Sequence, residues 1–136
     1  MKSQTALFLD KARQQIERAD TMLGVGLSED AGRAAYLAGL HAAQAFIFEN
    51  TDKVSKRHSG VQREFARLVK DDPRFDVQLR AFLPRTYNLK AIADYETGPG
   101  SRVSPESARE AIRTARSFVA SVESLIPANG GERVSS

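Results

Sequence analysis

The sequence has 136 residues, 41% hydrophobic and 27% charged, with no cysteine and a formal net charge of +3 from 20 bases and 17 acids. Such a chain makes one domain with a modest core, and its composition is not that of a disordered segment. Without cysteine, disulfide scaffolds, thiolate metal clusters, thiol catalysis and thiol redox chemistry are excluded, and the small surplus of bases names no partner unless it is concentrated.

The opening residues, MKSQTALFLDKARQQ, carry no long apolar stretch and no cleavage site, so no export signal is read and a cytoplasmic protein is expected. From about Thr5 to Leu23, apolar residues at Leu9, Ala12, Ile16, Ala19 and Leu23 line one helix face. Gly24 and Gly26 stop that helix. Ser28 reads as the cap of a second helix running to about Asn50, with Glu29 and Asp30 suiting its positive end. Its stretch from Ala31 to Phe48 is Ala-rich and apolar except for Arg33, His41 and Gln44. Those polar residues and the flanking acids argue against a membrane span and for a central helix wrapped by others.

Residues 51–58 read as a polar loop. Ser59 with Gln62 has the spacing of a capping box, and Val61, Phe65, Leu68 and Val69 give a short helix its buried face. Asp71-Asp72-Pro73 closes it. A fourth helix is predicted from about Asp76 to Thr97, with Leu79, Phe82, Leu83, Tyr87 and Ala91 inward and Pro84 kinking or breaking it. Thr97 to Val103 is a loop, in which Gly98-Pro99-Gly100 is a turn. Ser104-Pro105-Glu106 then starts a fifth helix that reaches about Ile126. The expected fold is all-α, an up-and-down antiparallel bundle of four to five helices in one domain over 1–126, with a flexible tail over 127–136.

No phosphate-cradling glycine loop, no H-E-x-x-H pair and only two histidines are present, so no metal or cofactor site is expected. Two features remain. From Lys53 to Lys70, the bases Lys53, Lys56, Arg57, Arg63, Arg67 and Lys70 face one acid, Glu64, a surplus exceeding that of the whole chain. Arg63, Arg67 and Lys70 share a helix face, with Lys56, Arg57 and His58 at its entrance. Such a stripe suits phosphate contacts, although a merely solvated face has the same pattern. The second feature is polar residues on apolar helices. Arg33, His41 and Gln44 share a face of the second helix, and Tyr87, Lys90 and Asp94 share one of the fourth. Arg33 and His41 stand about 12 Å apart along the axis, able to line one groove. A buried Arg33 would need a partner, and Asp94 is the candidate, with His41 and Tyr87 bonded around the pair.

The run Arg33-Ala-Ala-Tyr36-Leu-Ala-Gly-Leu-His41, then Lys56-Arg-His58-Ser59-Gly60-Val61, then Lys90-Ala-Ile-Ala-Asp94-Tyr95, then Ser104-Pro-Glu106 resembles the HEPN superfamily, and most of all its small stand-alone members. The resemblance spans about Ala6 to Ile126. It implies a helical bundle, usually a homodimer. Many such proteins are metal-independent ribonucleases in toxin–antitoxin or defence systems. In these, an arginine followed after four to six residues by histidine promotes attack of a ribose 2′-hydroxyl on the adjacent phosphate. Others lack that motif and act as binding or scaffolding modules, and stand-alone members often pair with a minimal nucleotidyltransferase. Here Lys90 stands at the position resembling the arginine and Tyr95 where the histidine is expected; Arg85 is followed by no histidine in its helix. Lysine lacks the arginine fork, and a phenol with a pKa of about 10 is a poor base near neutrality.

The expectation is a homodimeric protein that binds RNA, a nucleotide or a nucleotidyltransferase partner, with its nuclease motif degraded. The RNA-facing residues are then Lys56, Arg57, Arg63, Arg67 and Lys70, and the groove residues Arg33, Gln44, Tyr87 and Asp94. The alternatives are an active metal-independent endoribonuclease toxin with a non-standard site, for which His41, His58, Lys90 and Tyr95 are the catalytic candidates, and a purely structural helical adaptor.

Overall fold

The computed structural model describes residues 1–95 and 103–127, with the side chains of 91–95 left aside. Within that range the chain forms five helices: α1 (Ser3–Gly24), α2 (Ser28–Thr51), α3 (His58–Val69), α4 (Val77–Tyr95) and α5 (Pro105–Leu125). No described helix is long and apolar enough to cross a membrane.

Helix α2 is the axis, touching each of the other four. Its alanines and glycines make that possible, because small side chains let neighbouring helices approach the backbone. A Cβ on Gly39 would lie 2.1 Å from Cε2 of Phe82 on α4. Phe82 in turn stacks on Phe118 of α5, with centroids 5.0 Å apart. Phe118 meets Phe65 of α3, and Phe65 meets Phe46 and Phe75. This chain of rings ties α2, α3, α4 and α5 into one core.

Helices α1, α2, α4 and α5 alternate in direction. Lys2 and Thr5 at the start of α1 meet Glu49 near the end of α2. Gly32 and Gly39 of α2 face Leu89 and Phe82 of α4, and Arg13 and Arg116 pair α1 with α5 through Glu123 and Asp20. Helix α3 departs from this alternation. Tyr36 touches His58 and Phe46 touches Phe65, so α3 runs beside α2 in the same direction. The chain therefore climbs back along α2 over residues 52–57, a return strap where the sequence suggested a simple loop.

The helix ends show which local signals the fold uses. Gly26, at φ 83°, closes α1: its N–H bonds the Leu23 carbonyl and that of Leu27 bonds Met22, the pairing of a Schellman motif. Ser104 Oγ accepts from Ser107 N–H at 3.0 Å and Asp76 Oδ1 from Leu79 N–H at 2.8 Å, capping α5 and starting α4. Two expected caps do not form. Leu27 occupies the N-cap of α2, with Ser28 buried as its first residue, and Arg57 occupies that of α3, so Ser59 lies inside the helix. Nor does Pro84 break α4, which continues unbroken through it. Pro84 and Arg80 are both exposed, so the Arg80 carbonyl that loses its helical donor belongs to an outer face open to solvent. The expected tail falls outside the described residues apart from Pro127.

Candidate functional site

The return strap begins at Asp52, a non-glycine residue at φ 61°. Aspartate is among the few side chains that tolerate this left-handed conformation. Lys2 Nζ fixes the turn by donating to the Asp52 carboxylate at 2.8 Å and to the Glu49 carbonyl at 2.9 Å, a cation at the negative end of α2. Midway, Gln44 pins the strap: its Nε2 donates to the Ser55 carbonyl at 2.8 Å. Gly60, in the first turn of α3, leaves room for the strap, since a Cβ there would lie 2.9 Å from Ser55 Oγ. The strap carries Lys53, Lys56 and Arg57, all exposed.

Where the strap enters α3, a polar seam fills the joint between α2, α3 and α4. The Tyr36 hydroxyl, on a side chain with no exposed surface, lies 3.0 Å from His58 Nδ1 and accepts from Gln62 Nε2 at 3.3 Å. The Tyr36 and His58 rings stack, and Tyr87 closes on both, with centroids 5.4 Å from Tyr36 and 6.0 Å from His58. Lys90, only 7% exposed, sets its ammonium 6.0 Å from the Tyr87 ring centre, within cation–π range. Burial pushes the Tyr36 phenol up to about 12, the Gln62 hydrogen bond opposing and Tyr87 adding to the rise.

At the point where Gln44 pins the strap, His41 Nδ1 lies 2.8 Å from Gln44 Oε1, so His41, Gln44 and the Ser55 carbonyl form one chain. Burial lowers the His41 pKa, against the Gln44 bond and with Lys11 nearby helping to lower it. The ring is therefore neutral near pH 7.

The candidates of the sequence thus separate into groups. His58, Tyr87 and Lys90 come together, and His41 joins Gln44. Arg33 is exposed rather than buried, because its side of α2 is left open by the neighbouring helices. His41 bonds Gln44, and Tyr87 packs on Tyr36 and His58. The side chains of Asp94 and Tyr95 lie outside the described residues. Among the cations, Lys56, Arg57, Arg63 and Lys70 are exposed, whereas Arg67 binds Glu64, its Nε donating at 3.1 Å. That bond holds the Glu64 carboxyl below its usual range. Tyr36 and Gln62 were missed as site residues. Tyr36 carried a signal, being a phenol in an alanine-rich buried helix, where its hydroxyl must find a partner.

Among the described residues, no three His, Asp or Glu side chains converge as a metal site. A cleft of about 550 Å³ opens between α4 and α5, with Phe82 and Leu89 in its wall and Arg85, Glu106 and Glu110 among its polar lining; none of the described candidate residues is in that lining.

A family model described as the HEPN domain matches residues 5–125, which takes in all five helices, the strap and the polar seam. The chain belongs to the HEPN-domain family. No curated protein matches this HEPN chain. Among solved structures it is similar to that of TT1696 from Thermus thermophilus, at 23% identity and a TM-score of 0.77, over 90% of this chain and 98% of that one. At that identity the likeness carries the fold alone.

Proposed function

We propose that this HEPN protein binds RNA through its phosphate backbone, using the return strap and the outer face of α3. One observation carries the reading: the strap holds Lys56 and Arg57 in the open, pinned by Gln44 on one side and leading on the other into the seam of His58, Tyr87 and Lys90. Arg63 and Lys70 extend the positive face along α3. Exposed cations on a strap whose backbone is pinned suit a phosphate chain, because that backbone needs little further ordering on binding.

The degraded motif supports binding without efficient cleavage. Lys90 offers a point charge in place of a guanidinium fork, and Tyr95 stands where a histidine is expected. The family's habits add a homodimer and a nucleotidyltransferase partner in a toxin–antitoxin or defence setting as the context of this reading.

The test is titration of a labelled single-stranded RNA in EDTA, followed by fluorescence anisotropy and by gel. The expected result is salt-sensitive binding with the RNA intact, and loss of binding in the charge reversal Lys56→Glu/Arg57→Glu at unchanged helicity. Rapid cleavage that disappears in Lys90→Ala would overturn the degraded-motif reading. Absence of any salt-sensitive binding would leave the structural adaptor.

A further inference from the structure

From residue 31 to residue 48, every position of α2 is buried except Arg33, Leu37, His41 and Phe48. With the exposed Asp30 one turn earlier, these residues fall in a single stripe along the helix. The other helices wrap α2 elsewhere and leave this stripe open. Helix α1 borders it: Lys11 is close enough to act on the charge of His41, and Leu7, one turn before Lys11, is exposed on the same face of α1. The strap borders it too, because Gln44 ties Ser55 to α2, and Val54 beside Ser55 is exposed. Ahead of the first turn of α2, Val25 and Leu27 are exposed as well. Apolar surface therefore stands near both ends of the stripe. The acid Asp30 belongs to one end and the bases Lys53 and Lys56 to the other.

A surface of this kind is self-complementary about a two-fold axis. Leu37 is seven residues from Asp30 and seven from Gln44, about 10 Å each way along the helix. A second α2 crossing antiparallel at Leu37 thus brings its Asp30 to the level of Ser55, between Lys53 and Lys56. Leu27 comes to the level of Phe48, and Arg33 to that of His41, whose ring is neutral near pH 7. No two like charges meet along the paired helices. We infer that this stripe is the seat of a second copy of the chain, crossing antiparallel about Leu37, with the partner's Asp30 set against the bases of the strap. The partner copy then contributes a carboxylate to the border of the phosphate-binding strap.

The inference gives the homodimer of the proposed function a face, and it is tested on the full chain without RNA, so its failure leaves the RNA titration untouched. Sedimentation equilibrium should show a reversible dimer for the wild type. Leu37→Glu, which sets two carboxylates at the axis, should give a monomer at unchanged helicity. Asp30→Lys should weaken the dimer about tenfold, since two exposed pairs turn from attraction to repulsion, and adding Lys53→Glu and Lys56→Glu should restore it. The chain has no cysteine of its own, so single cysteines report the face. Leu37→Cys should form a covalent dimer on oxidation with diamide. Val77→Cys should not, although Val77 is exposed, because it lies on α4, which packs against Gly39, two positions and about 200° round α2 from Leu37. A monomer at all concentrations, or a dimer unchanged by Leu37→Glu and Asp30→Lys, would overturn the inference. Cross-linking through Val77→Cys and not through Leu37→Cys would do the same.

Discussion

Helix α2 carries two neighbouring patches, one turn apart, that differ in kind. On one, Gly39 lets the Phe82 ring lie against the backbone, and Phe82 is held from behind by Phe118. On the other, Tyr36 buries a hydroxyl among His58, Gln62 and Tyr87. The first face gains from close apolar contact alone. The second commits a buried phenol, an imidazole and a lysine that is 7% exposed to a joint an apolar residue could have filled. The contrast marks the seam as the place where this fold gives up packing for polar chemistry, and it is the seam that borders the basic strap.

The apolar face should respond most strongly to substitution. Gly39→Ala places a methyl against a ring with no room to retreat, and overpacking of this kind is expected to cost about 3 kcal/mol, measured by urea unfolding. A loss below half of that would mean that Phe82 can leave its stack on Phe118. At the seam, Tyr36→Phe should cost less, about 1 to 2 kcal/mol, from the lost hydrogen bonds of a buried group. The same residue gives a spectroscopic mark. The Tyr36 phenol should ionise only near pH 12 while the chain stays folded. Because the folded phenol titrates above its unfolded value of about 10, its contribution to stability is complete below pH 10 and is lost as the pH rises toward 12.

His41 should contribute least to stability, and with the opposite dependence. Its folded pKa lies below the ordinary 6.5, chiefly through burial. The unfolded chain therefore binds the proton more readily, so the wild type is at full stability above pH 6.5 and loses stability as the pH falls toward the lowered folded value. Unfolding curves at pH 7.5 and pH 5 should show a greater acid loss for wild type than for His41→Gln. Equal losses would remove His41 from the account.

Much of the apolar face was legible in the sequence. The alanine-rich stretch marked α2 as central, and the spacing of Phe65 and Phe118 placed them inward because helical periodicity is a property of neighbours three and four apart. The strap was not legible. Residues 52–57 have no period, and their path is set by distant partners: Lys2 at Asp52, Gln44 at Ser55, and the bare Cα of Gly60. The seam was half legible: His58, Tyr87 and Lys90 stood out as polar groups near apolar runs. Gln62 matched a capping box by spacing, yet a buried phenol competes for a glutamine as strongly as an exposed helix end does. Arg33 was placed inside because its neighbours in sequence are apolar, whereas burial depends on which side of the helix its partners cover.

The strap reading stands or falls on the salt dependence of RNA binding in two arginine variants. Each phosphate contact to a single strand contributes a slope of about 0.7 in log affinity against log salt. Arg57, exposed on the pinned strap, and Arg67, held by Glu64 on the outer face of α3, carry the same charge in different settings. Arg57→Ala is predicted to lose about one contact, a slope shallower by about 0.7, while Arg67→Ala leaves the slope unchanged. The reverse order, or equal small changes in both, would contradict it.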